Sequence, residues 1–234
     1  MSAKSLRPTG VSRDVSAFLD AAEVTPVSSS EPSGRLIFSM DATASRGPTW
    51  DMAIGIQADM FAEAASLGGL EVQLVFYRGL MECRSSRWTR DPKELGRLMG
   101  KVGILAGRTQ IERILKHALK EAETKTVNAL VFIGDTMEEN IDLLADAAGK
   151  LGLRGIPVFM FHEGGGEPAA SAFKHIAKIS GGAYCLFDAS SPGALRALLN
   201  AVATFAAGGA RALEDYGRKH GGDILGITDQ MTRR

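Results

Sequence analysis

Cysteine is nearly absent from this chain: Cys83 and Cys185 are the two in 234 residues, too few for a disulfide framework. Net charge is absent as well. Twenty-seven basic side chains offset twenty-seven acidic ones at a pI near 6.9, which removes the bulk electrostatic pull toward nucleic acid or an anionic membrane surface. No apolar run approaches the length of a membrane-spanning helix, and the N-terminus has no apolar stretch suited to a secretory signal. The expectation is a cytoplasmic protein that binds neither nucleic acid nor membrane. Its four histidines, His117, His162, His175 and His220, are scattered, so no clustered general base is in view. The glycine run Gly164 to Gly166 has no Lys-Ser/Thr after it and is no phosphate loop. What the chain does have is 45% apolar residues, enough to fill the core of one α/β domain with tails.

Residues 1–34 are polar, with Pro26, three serines from Ser28, Pro32 and Gly34, and read as a flexible leader carrying one short amphipathic turn around Val15 to Ala22. Its Phe18 and Leu19 are a candidate docking motif for a partner, or a segment resting on the domain. From Arg35 strands and helices alternate. Helices are expected over Trp50 to Leu67 (closed by Gly68-Gly69), Pro92 to Val102, Gly107 to Glu123, Met137 to Leu151, Pro168 to Ile179 and Pro192 to Ala207. Strands are expected over Leu70 to Tyr77, Met81 to Ser85, Val127 to Ile133, Ile156 to Phe161 and Ala183 to Phe187, the first two forming a hairpin through Arg78-Gly79. This alternation predicts an α/β fold of the Rossmann-like, doubly wound kind: a mostly parallel sheet with one antiparallel edge strand and helices on both faces. The domain is expected over 35–208, followed by a helical extension and a polar tail over 209–234.

The run from Arg35 to Ser45 holds the chemistry. Leu36, Ile37 and Phe38 are apolar and β-prone, and the small residues after Asp41 let the backbone curl so that Asp41, Thr43 and Ser45 aim into one space. Carboxylate with hydroxyl suits magnesium or calcium rather than zinc; the competing reading is a polar loop capping a helix. Binding sites in such sheets lie beyond the carboxyl ends of the strands. Asp135 follows a later buried strand and Thr109 opens the helix feeding it, so both are expected at the same crevice.

Asp41-x-Thr43-x-Ser45, a distant Thr109 and then Asp135 resemble the metal-ion-dependent adhesion site of the von Willebrand factor A family, written Asp-x-Ser-x-Ser, Thr, Asp. Lys174-His175-Ile176-Ala177 followed by Ser180-Gly181-Gly182 resembles the stretch before that family's last strand. The resemblance runs from about Arg35 to Ala207. It implies a module binding Mg²⁺, with Mn²⁺ or Ca²⁺ as substitutes, and no enzyme. Ser45 and Thr43 would give hydroxyls directly to the metal, Thr109 a third directly or through water, and Asp41 and Asp135 would orient them. A protein partner would supply an acidic side chain, and intracellular members that work beside chaperone-like ATPases or assembly machinery suggest the setting. Thr43 departs from the family's serine by one methyl, which bears on affinity or metal choice.

The physics of such a donor set also favours binding. Neutral hydroxyls with carboxylates held back leave a divalent cation underneutralised with a position open. Asp41 is expected on a solvated rim, so that its removal leaves the fold intact. The enzyme alternative is a magnesium-dependent phosphohydrolase of the haloacid dehalogenase type with Asp41 as nucleophile and Gly134-Asp135-Thr-Met-Glu138-Glu139 as acidic loop; Thr43 stands where that chemistry wants a second aspartate. Arg46 and Trp50 are candidates for a rim around the partner's carboxylate, with Trp50 alternatively packing beneath the loop. His162-Glu163 are expected in a plain loop, with the crevice as the other reading. Arg84, Arg87 and Arg90 around Trp88 read as an exposed edge rather than a nucleotide-stacking patch.

Overall fold

The computed structural model describes residues 34–188 and 190–232. The leader with Phe18 and Leu19, and the terminal Arg233-Arg234, lie outside the described residues. The strands are β1 (Gly34–Asp41), β2 (Leu70–Arg78), β3 (Glu82–Ser85), β4 (Ala129–Gly134), β5 (Val158–Glu163) and β6 (Tyr184–Phe187). They form one sheet in the order β3-β2-β1-β4-β5-β6, parallel except for the hairpin strand β3 at the edge. The helices are α1 (Gly47–Ala65), α2 (Pro92–Met99), α3 (Ile111–Thr124), α4 (Ile141–Leu153), α5 (Ala169–Ser180), α6 (Pro192–His220) and α7 (Asp223–Thr232).

Strand alternation divides the core into two. Leu36, Phe38 and Met40 of β1 point to the face covered by α1, α2, α6 and α7, where Trp50, Met60, Leu95, Leu199 and Ile227 pack. Ile37 points to the other face with Tyr77 and Phe132, under Ile114 of α3, Leu144 of α4 and Phe173 of α5. All six residues of β4 are buried, which is why that strand reads as an unbroken apolar run.

The helix starts follow local chemistry. The Asp91 carboxylate accepts from Lys93 N at 2.9 Å, and Pro92 follows where no N–H is needed. Asn140 caps α4 through Asp142 N at 2.8 Å, so this helix begins four residues later than Met137. Close packing accounts for Ser180-Gly181-Gly182: Gly181 ends α5 with φ 89°, Ser180 Oγ accepts from Val158 N at 3.1 Å, and a Cβ on Gly182 would lie 2.0 Å from Val158 O.

Past Ala207 the helix continues to His220 across a break at Gly209 (φ 72°, ψ −168°), and the segment after Gly222, expected as a polar tail, forms α7 and buries Ile224 and Ile227. Gln230 of α7 clasps the backbone of Tyr184, accepting from its N at 2.9 Å and donating to its O at 3.0 Å. Helix α7 thereby shields the outer edge strand β6. No helix among the described residues is long and apolar enough to cross a membrane.

Candidate metal site

The chain leaves β1 toward β2 on one side and enters β4, β5 and β6 on the other, so β1 and β4 flank the point where the strand order reverses. The crevice beyond their carboxyl ends is the expected ligand position in an open α/β sheet. Asp41 is the last residue of β1, and the pairing of Met40 with Ile133 carries the two strands together toward Gly134 and Asp135. Gly134 lies next to Asp41, where a Cβ would be in ordinary contact at 3.8 Å from Asp41 Cβ, and its missing side chain makes room for the Phe132 ring, which that Cβ would meet at 2.7 Å.

Asp41 is 1% exposed and stands on no solvated rim. Its Oδ1 accepts from Thr43 N at 2.7 Å, which curls the chain and sets the buried Thr43 beside it. Burial drives the Asp41 pKa above the ordinary carboxylate range, and the nearby Asp135 charge adds to that rise; the Thr43 contacts oppose it. Ser45 follows on a single 3-10 turn, Ala44–Arg46, and is exposed.

Thr109 lies in the loop two residues before α3 rather than inside that helix. The loop is stitched to both neighbours of the crevice. Leu105 N donates to Ala42 O at 3.1 Å, Arg108 N donates to Gly79 O at 3.0 Å, and Thr109 Oγ1 accepts from Glu138 N at 3.1 Å. Glu139 completes the tie by accepting from Ile111 N at 2.6 Å and Glu112 N at 3.0 Å, where its charge also suits the start of α3. Of the acidic loop after β4, the Glu139 carboxylate is therefore committed to capping a helix. Direct hydrogen bonding joins Asp41 to Thr43, strand pairing brings Asp135 alongside, and Thr109 is tied to the Asp135 loop through Glu138.

Among the described residues, six buried side-chain polar atoms lack a hydrogen-bond partner, and Asp41 Oδ2, Asp135 Oδ1, Tyr77 Oη and Arg46 Nε are four of them. Their concentration at one corner marks a place where something besides protein satisfies them. No three His, Cys, Asp or Glu side chains gather as a metal cage among the described residues, so a cation here would depend on hydroxyls. The two unpartnered carboxylate oxygens have the chemistry of hard divalent-ion donors, and Thr43, Ser45 and Thr109 are hydroxyl-bearing residues of the loops that follow β1 and precede α3.

Several neighbours differ from expectation. Arg46 and Trp50 form no rim: Arg46 is 1% and Trp50 2% exposed. Trp50 Nε1 donates to Met99 O at 3.1 Å, and its ring meets Phe76 edge-on beneath the loop. Arg46 Nη1 lies 3.4 Å from Asp135 Oδ2, while Nη2 pairs with Glu163, which Thr49 Oγ1 also contacts. His162 and Glu163 belong to β5, not to a loop. His162 is fully buried between Asp135 O (3.2 Å from Nε2) and the Tyr184 hydroxyl (3.0 Å from Nδ1), and burial lowers its pKa. Sequence spacing held no sign of the Arg46–Glu163 pair, which joins positions 117 apart.

The arginines around Trp88 are exposed, as expected of an edge, and each has an acidic neighbour: Arg84 pairs with Glu82, Arg87 with Glu94 and Arg90 with Glu71. Trp88 itself is half-buried under Arg35, whose guanidinium carbon lies 3.7 Å from the ring centroid. Cys83 and Cys185 lie on β3 and β6, opposite edges of the sheet, and burial pushes the Cys83 thiol up to about 11.

No protein-family model matches the sequence, and no curated protein matches it. Solved structures share its fold at low identity. The von Willebrand factor type A protein of Catenulispora acidiphila superposes with a TM-score of 0.57 at 16% identity, over 73% of this chain and 43% of that one. The vWF domain of the type V pili tip protein Mfa5 from Porphyromonas gingivalis gives 0.56 at 12%, over 72% and 93%. Proximal thread matrix protein 1 from the mussel byssus, solved with a zinc occupied MIDAS motif, gives 0.58 at 12%, over 74% and 47%. This chain thus spans less than half of the Catenulispora and byssus proteins. Its strand order, its antiparallel edge and these likenesses identify the fold as that of the von Willebrand factor A domain.

Proposed function

We propose that this domain is a divalent-cation-dependent protein-binding module and not an enzyme. The observation that carries the reading is the pair of buried carboxylate oxygens, Asp41 Oδ2 and Asp135 Oδ1, without protein partners beside hydroxyl-bearing loops. Thr43 and Ser45 would offer hydroxyls directly, Thr109 a third directly or through water, and the two aspartates would orient them. Bound there, Mg²⁺, with Mn²⁺ or Ca²⁺ as substitutes, would supply an underneutralised Lewis-acidic position for an acidic side chain of the partner. The occurrence of the fold in a pilus tip protein and a byssal matrix protein supports an interaction role. The paucity of cysteine supports a cytoplasmic setting; a place there beside chaperone-like ATPases or other assembly machinery is what the family resemblance alone implies.

The test is affinity capture with the full chain as bait, in Mg²⁺ and again in chelator, with calorimetric titration of Mg²⁺ and Mn²⁺ in parallel. Partners retained only with the ion support the module. Equal retention in chelator, or no heat of cation binding, overturns it.

A further inference from the structure

Arg46 is the largest fully buried side chain among the described residues, and its position is chemically loaded. Guanidinium stays charged under all ordinary conditions, so a full positive charge sits out of water at the end of the metal loop. It has two anionic neighbours, Asp135 and Glu163, and its Nε has no partner. Asp135 is correspondingly split: Oδ2 faces Arg46 at 3.4 Å, and Oδ1 is buried with nothing to bond.

We infer that Arg46 is a resident cation that shares Asp135 with the divalent ion and so sets how weakly that ion is held, with Glu163 fixing how much of the arginine's charge reaches Asp135. The inference rests on the metal reading above. Its physical basis is mutual: one carboxylate lies between two cations, and like charges in a poorly solvated corner repel more strongly than in water. Glu163 contacts the far amino group of Arg46 and draws off part of the field; Thr49 helps to hold Glu163 in place. A weakly held ion exchanges readily and leaves the partner's carboxylate a larger share in its coordination.

The charge arrangement requires two substitutions to act in opposite directions, which a merely structural role would not do. Glu163→Gln leaves Arg46 bearing wholly on Asp135 and should weaken Mn²⁺ binding by about tenfold. Arg46→Met combined with Glu163→Gln keeps the net charge, removes the competing cation and should tighten Mn²⁺ binding by about tenfold.

The experiment is calorimetric titration of Mn²⁺ into the full chain and both variants, with circular dichroism to verify folding. Shifts of opposite sign support the inference. Shifts of the same sign, or affinities within about twofold of the parent, overturn it while leaving the metal reading intact. If the double variant does not fold, Glu163→Gln alone decides: weakening supports and no change overturns. Binding by the double variant alone supports Arg46 as the competing cation and overturns the proposed function of the parent. No binding by any of the three overturns both.

Discussion

Asp41 of β1 stands directly across the parallel pairing from Tyr77 of β2, and the fully buried Tyr77 hydroxyl faces that carboxyl in a contact too loose for a well-formed hydrogen bond yet close enough to favour the ionised carboxylate. Burial holds the Tyr77 pKa well above its ordinary value, with the Asp41 charge adding to the rise, so the phenol is a neutral dipole beside the site. Tyr77→Phe removes an unpartnered hydroxyl while keeping the ring stacked on Phe132. Stability should therefore change by less than about 1 kcal/mol. The hydroxyl lowers the Asp41 pKa, so its loss should move the pH midpoint of Mn²⁺ binding upward. Urea unfolding and titration across pH check both; a lower midpoint contradicts the geometry.

Asp41→Asn should trade function for stability. Asparagine Oδ1 can still accept from Thr43 N, but the buried charge is gone. The folded-state pKa of Asp41 is raised, so between the unfolded value and the folded one the native state holds the extra proton, and stability falls as pH rises through that window. Above it the full cost of the charge persists. In chelator at pH 7 the variant should melt higher, by about 2–4 °C, and this gain should vanish as pH drops below the unfolded carboxylate range. Mn²⁺ should stabilise the parent and not the variant, and acidification through the folded pKa of Asp41 should abolish the parent's response. Calorimetric scans with and without ion read all of these.

Gly107→Ala tests the loop that carries Thr109. A Cβ at Gly107 would lie 1.9 Å from Gly79 O, where Arg108 N and Gln110 Nε2 already bond. Overpacking should cost about 1–3 kcal/mol and weaken cation binding by shifting Thr109. Gly149→Ala, on α4 with open space around it, should instead stabilise by about 0.5–1 kcal/mol and leave binding unchanged.

Phosphate-ester hydrolysis separates module from enzyme. Thr43 offers a hydroxyl where acid–base chemistry wants a carboxyl, so the full chain with Mg²⁺ should show no substantial turnover of generic phosphate esters. Thr43→Asp adds a negative charge beside Asp41 and should change metal affinity without creating efficient turnover. Robust hydrolysis by the parent, abolished by Asp41→Asn, would show the phosphohydrolase reading to be the right one.

Local signals in the sequence determined much of this protein. The apolar alternation and punctuation of the chain specify every strand, the helices α1 to α5 and the start of α6 to within a few residues, because propensity, caps and burial act over one or two turns. Asp41, Thr43 and Ser45 are legible as a candidate donor set because all three follow from the end of one strand. Three-dimensional folding decided the rest. Arg46 looks solvent-facing until β5 brings Glu163 beneath it, and Asp41 looks like a rim residue until Tyr77 and the Asp135 loop close over it. Glu139 looks like an acidic metal ligand until the start of α3 claims its carboxylate, while Thr109 takes the backbone N–H of Glu138 and leaves that side chain exposed. Helix α7 is expected as a polar tail, yet Ile224 and Ile227 enter the core and Gln230 clasps Tyr184 on the sheet edge. In each case the deciding contact joins distant positions, and sheet order rather than residue type sets the charge balance around Asp135.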